Sequence, residues 1–106
     1  MSGATPRAAR MDVLTMNIKR PFFSAIIAGT KRIEYRPRSP FWKRRIEPLE
    51  MPFKLRLLNG MTHPIPEAMV VVTRVTTDRA RREYRLHLGR VMQVKRWNRR
   101  AQKPRR

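Results

Sequence analysis

Between Ala28 and Arg36 the chain reads AGTKRIEYR, and there one of its seven carboxylates, Glu34, stands between Lys31 and Arg36. Gly29 closes an apolar run, so Lys31 emerges where the chain reverses. If an extended segment follows, Glu34 and Arg36 project from one face, because side chains two apart on a strand share a side. Three charges of alternating sign then meet at one mouth. Opposite charges a few ångströms apart favour the charged form of each. Such a carboxylate can accept hydrogen bonds from a nucleobase or an amide, while Lys31 and Arg36 engage a phosphate or a developing oxyanion. The same spacing also suits a solvated ladder of salt bridges, and the residues alone leave both readings open.

Other kinds of chemistry find little support. His63 and His87 are far apart and lack metal-ligand spacing, so no metal is expected. Four unclustered glycines build no phosphate loop, and no cofactor is expected. The chain has no cysteine, which excludes disulfides and thiolate chemistry. Glu47 and Glu50 form a pair of carboxylates in a proline-rich stretch, where they suit neutralisation of Lys43, Arg44 and Arg45.

The charge balance is lopsided. Against 26 Lys and Arg stand 7 Asp and Glu, a formal net charge of +19 on 106 residues. Unpaired buried cations are too costly, so most of this charge must face water, where it attracts polyanions, RNA or other nucleic acid first among them. Lys19, Arg20, Arg38, Lys43, Arg44 and Arg45 fall in sequence around the proposed mouth. Trp42 among them is either a stacking platform for bases or a core plug. Near the end, Trp97 is flanked by Lys95, Arg96, Arg99 and Arg100, a pattern that predicts phosphate binding without sequence preference.

The elements that must position these residues follow from periodicity. DVLTMNI alternates as a first strand. Pro21 opens a short helix with Phe22, Phe23, Ile26 and Ile27 on its apolar stripe, both phenylalanines being read as core, and Gly29 caps it. KRIEYR returns to period two, with Ile33 and Tyr35 on one face and Arg32, Glu34 and Arg36 on the other. An ordered loop or single helical turn is expected around Phe41 to Ile46. FKLRLLNG is a strand ending in an Asn59-Gly60 turn, and AMVVVTRVTT reads as a central strand. EYRLHLGRVMQV is the last strand, with Gly89 at a bulge or bend; an amphipathic helix from Asp78 to Leu88 competes with it. These elements predict a mainly β fold, a small and mostly antiparallel barrel or half-barrel of about five strands. Residues 1–11 are expected to be a disordered basic leader, 12–95 the domain and 96–106 a flexible cationic tail. The leader lacks an apolar core like that of a secretory signal, and no run approaches the ~20 apolar residues of a membrane span, so a cytoplasmic setting without membrane partners is expected.

With these elements in place, IKRPFFSAIIAGTKRIEYR resembles the ASCH domain family, a branch of the PUA-like superfamily. Its members show an apolar helix followed by Gly-x-Lys-x-x-Glu-x-Arg leading into a strand, and Gly29, Lys31, Glu34 and Arg36 match all four positions. HLGRV resembles the close of that domain, so the likeness spans roughly Val13 to Val94. It implies a β-barrel with a cleft beside the motif and a role connected with RNA or modified nucleosides. Some members are amidohydrolases acting on acylated cytidine through a Lys at the position of Lys31 and a Thr three residues later, which here is Glu34. Their further acid would fall to Glu67, and other members are ribonucleases. The resemblance therefore implies Lys31 and Glu34 as catalytic candidates in an RNA- or nucleotide-binding module; a structural ribonucleoprotein component is a further reading.

Overall fold

The computed structural model describes residues 11–105. The expected leader lies outside these residues except for Met11. The chain runs β1 (Val13–Asn17), α1 (Arg20–Ala28), β2 (Ile33–Pro37), α2 (Pro40–Ile46), β3 (Phe53–Leu58), β4 (Glu67–Asp78), β5 (Glu83–Lys95), β6 (Trp97–Asn98) and β7 (Lys103–Pro104). Five strands form one mixed sheet in the order β1-β3-β4-β5-β2, curled into a half-barrel. No helix among the described residues is long and apolar enough to cross a membrane.

Alternation of side chains decides which face becomes the core. On β3, Phe53, Leu55 and Leu57 are fully buried while Lys54, Arg56 and Leu58 stay partly exposed. Their partners Ala68, Val70 and Val72 on β4 carry that apolar face across the sheet. Tyr84, Leu86 and Leu88 extend it on β5 at period two, which is why residues 83–95 form a strand and the competing helix does not appear. Phe23, Ile26 and Ile27 of α1 and Ile46 of α2 cover the same face.

Two departures from a regular meander shape the molecule. β1 runs parallel to β3, a pairing that requires the long α1-β2-α2 crossover between them and sends β2 to the opposite edge, antiparallel to β5. The β4-β5 ribbon also carries three register shifts between Met69 and Arg74, and such bulges bend and coil a ribbon. Gly89 lies opposite them. A Cβ there would sit 3.0 Å from the Thr73 methyl, so the strands approach closely where the ribbon turns.

The bend brings the two edge strands near one another without pairing them. Arg36 on β2 reaches across, its Nε 3.2 Å from Met16 Sδ and its Nη2 3.4 Å from the Asn17 carbonyl on β1. The sheet therefore stays open along one seam.

The C-terminal segment differs from the expected flexible tail. β6 and β7 pair as a small hairpin, and the Arg105 N–H donates to the Arg96 carbonyl at 3.0 Å. Trp97 is only 4% exposed, packed edge-on against Phe23 with ring centroids 5.0 Å apart. The Ser24 hydroxyl donates to Gln102 Oε1 at 2.7 Å and ties the turn to α1. A buried indole contributes far more to packing than a solvated one, so the hairpin is part of the fold.

Candidate functional site: a charged cleft along the open seam

Lys31 owes its position to the end of α1. Gly29 adopts φ +84°, a left-handed conformation that glycine takes without steric cost, and the chain turns back on itself. The Ala25 carbonyl then accepts from the Thr30 and Lys31 N–H groups at 3.0 and 3.1 Å and from the Thr30 hydroxyl at 3.2 Å. This cap fixes the Lys31 backbone, and an ammonium beside a helix C-terminus meets the negative end of the helix dipole.

On β2 the usual sense of a strand is inverted. Glu34 pairs with Leu86 and Arg36 with Tyr84, so both charged side chains point to the face occupied by the core, while Ile33 and Tyr35 share the outer face with His87 and Arg85. The Glu34 side chain keeps only 7% of its exposure. An isolated carboxylate taken out of water is heavily penalised, and here two cations offset the cost. Arg36 Nη2 lies 2.9 Å from one Glu34 oxygen and Lys31 Nζ 3.5 Å from the other. The three side chains of the motif thus meet, as their spacing predicts, and they do so at the seam.

Around them lies a cleft of about 490 Å³, lined by Asn17, Ile18 and Lys19 from the β1 side, by Phe22 and Lys31 from the ends of α1, and by Glu34, Tyr35 and Arg36 of β2. The Lys31 ammonium sits 5.2 Å from the centres of both the Phe22 and Tyr35 rings. Those rings are 48% and 44% exposed, so the cleft presents two aromatic surfaces beside one carboxylate and three cations. Chemically, this combination can stack a planar base, accept from its N–H groups and neutralise a phosphate.

The other predicted residues take varied positions. Lys19 lines the cleft, whereas Arg20 turns away, donating to Asn59 Oδ1 at 3.0 Å and lying 6.0 Å from the Trp97 ring. Trp42 is half-buried on the core, with Phe41 edge-on to it and the Arg36 guanidinium 5.2 Å from its centre. It supports Arg36 and is not an open stacking platform. Ser39 caps α2, accepting from the Trp42 N–H at 3.3 Å, and leaves Lys43, Arg44 and Arg45 exposed on its outer side. Arg45 stacks on Phe41 at 3.5 Å. Arg38 lies 5.6 Å from the Tyr84 ring. Glu47 does not neutralise the α2 cations; it accepts from the Tyr84 hydroxyl at 2.5 Å, and burial together with that carboxylate pushes the Tyr84 pKa up.

Trp97 and Glu67 also depart from their expected roles. Trp97 is buried and offers no face to a base, while Arg99 and Arg100 remain exposed at the β6-β7 turn. Arg96 is engaged, donating to the Ile65 carbonyl at 2.5 Å and lying 3.4 Å from Glu67. Glu67 stands on the outer face of the sheet beside Arg56, 3.0 Å away, so the sheet separates it from Glu34. The Arg56 hydrogen bond holds its carboxyl below the usual range, and Glu67 cannot act as an acid beside Lys31.

Phe22 and Tyr35 escape sequence reasoning as site residues. Phe22 looks like one of two core phenylalanines, but successive helix positions lie about 100° apart, and only Phe23 faces inward. Tyr35 alternates correctly with Glu34, yet nothing in the pattern says that the charged face is the inner one. Comparison with known proteins adds no assignment: no family model, no curated protein and no solved structure matches the chain.

Proposed function

We propose that the chain is an ASCH-type, PUA-like module that binds RNA or a nucleotide in the Lys31-Glu34-Arg36 cleft. One observation carries this reading: a carboxylate 7% exposed is held between two cations in an open cleft with two exposed rings. A purely structural ion pair there would be an expensive way to fill a seam, since well-packed apolar residues of similar volume are often as stable or more so. The cleft carries cations for a phosphate, rings for a base and one carboxylate to accept from its N–H edge. The net charge of +19 supplies long-range attraction to such a ligand.

The test is titration of cytidine monophosphate, followed by backbone NMR shifts of the ¹⁵N-labelled chain. Saturable shifts centred on 29–36 are expected. Lys31→Ala/Arg36→Ala should weaken binding by more than about tenfold, and Glu34→Gln by about tenfold, as befits loss of a charge-assisted hydrogen bond. Unchanged affinity in the double variant, or shifts confined to the C-terminal hairpin, would overturn the proposal. Inclusion of an N4-acylated cytidine in the same titration reads directly whether the cleft also hydrolyses the amide.

A further inference from the structure

A second hollow lies on the other side of Lys31. It is a cavity of about 410 Å³ with the buried Ile26, Val70 and Leu88 among its lining residues and with Lys31, Arg32 and Arg90 as its cations. The topology creates it. Pairing between β2 and β5 ends with the Leu88 N–H donating to the Arg32 carbonyl at 2.9 Å, and β5 then runs on to Lys95 with only β4 beside it. Gly29, at the edge of the cavity, has nothing within 4 Å of where a Cβ would stand, so the end of α1 leaves the space open.

Arg32 and Arg90 are exposed, and neither takes part in an ion pair among the described residues. Lys31 lines both the cleft and this cavity. A shallower hollow that includes Lys31, Arg32 and Tyr35 adjoins the two, sharing residues with each. The cations therefore form a series: Lys19 and Arg36 in the cleft, Lys31 between, Arg32 and Arg90 beyond.

We infer that this cavity is a second nucleotide subsite, and that the ligand is an RNA strand crossing Lys31 and not a single nucleotide. The inference rests on reading the cleft as a nucleotide site. Its own support is the character of the cavity, since a nucleotide pairs an apolar base face with an anionic phosphate, and apolar lining below unpaired guanidiniums offers a counterpart to each. A mononucleotide held in the cleft would leave Arg32 and Arg90 unused.

Affinities of cytidine monophosphate, a cytidine tetranucleotide and a hexaglutamate peptide, measured at several salt concentrations, test it. Arg32→Ala/Arg90→Ala should weaken the tetranucleotide by about tenfold and lower its salt slope by about 1.4, at roughly 0.7 per single-strand phosphate contact, while the mononucleotide is unaffected. Arg32→Lys/Arg90→Lys should restore most of the loss. Arg79→Ala/Arg81→Ala, at the tip of the β4-β5 hairpin, removes the same charge elsewhere and should leave the tetranucleotide within about twofold. Equal losses in the two double variants, an unchanged tetranucleotide, or an equal effect on hexaglutamate would overturn the second subsite and leave the cleft standing. If wild type fails to bind the mononucleotide or Lys31→Ala/Arg36→Ala has no effect, the cleft reading itself falls.

Discussion

Trp97→Ala separates the two roles that a tryptophan among basic residues can play. In the structure the indole is 4% exposed, edge-on to Phe23 at 5.0 Å and near the Arg20 guanidinium. Truncating a buried aromatic costs about 3–5 kcal/mol, a range that includes the lost transfer energy and the cavity left behind. Trp97 lies where a two-residue strand meets α1, at a margin that can partly collapse, so the low end applies and about 3 kcal/mol is expected. For a domain of this size each kcal/mol moves Tm by about 4–8 °C, so Tm should fall by about 12–24 °C. Urea unfolding followed by circular dichroism gives the free energy, and RNA titration well below the variant's Tm gives the affinity of the folded form. Affinity should stay within about twofold of wild type, because a buried ring stacks on no base. A loss of stability under about 1 kcal/mol with a tenfold drop in RNA affinity would mean that the indole contacts bases and not the core, the role its sequence context suggests.

Burial first, then Arg74 and Arg85, lower the His87 pKa from 6.5, so the unfolded chain takes up the proton before the folded one does; stability should decline as pH falls through about 6.5 and be flat above it, and His87→Gln, measured by urea midpoints at about pH 7.5 and 5.5, should reduce that slope. Glu67 is depressed below 4.5 chiefly by its hydrogen bond to Arg56, so its contribution is present above that value and lost as pH drops through the folded pKa. Glu67→Gln should cost about 1 kcal/mol at neutral pH, a figure kept small because Arg56 and Arg96 retain 41% and 40% exposure, and should flatten the acid limb of the stability curve. Arg99→Ala/Arg100→Ala, at the exposed hairpin turn, should lower the salt slope of RNA binding by about 1.4 with Tm unchanged within a degree or two, as read by filter binding and calorimetry.

Much of the fold was legible in the chain because local rules and tertiary structure agree there. Period two at Phe53-Leu55-Leu57 and Tyr84-Leu86-Leu88 marks strands whose inner faces are apolar, and Pro21 with Gly29 brackets a helix by backbone chemistry alone. The juxtaposition of Lys31, Glu34 and Arg36 was legible too, being set by a cap and a strand within six residues of one another. Where local and global preferences diverge, the pattern misleads. Trp97 sits among cations and reads as solvated, yet Phe23, far away in sequence, supplies an apolar surface that outweighs the cost of ordering a short hairpin.

Composition and periodicity suffice to specify a mainly β domain of one core, a surplus of positive charge that must face water, and a carboxylate flanked by two cations just after a capped helix. Long-range packing is what turns the charged face of β2 inward, brings β1 and β2 together without pairing, and leaves Phe22 and Tyr35 overlooking the gap between them. Periodicity specifies alternation but not sense. Which side of a strand is buried depends on what the rest of the chain lays against it, and here a bent ribbon and a long crossover place an open seam where the polar side can be paired and still reached by solvent.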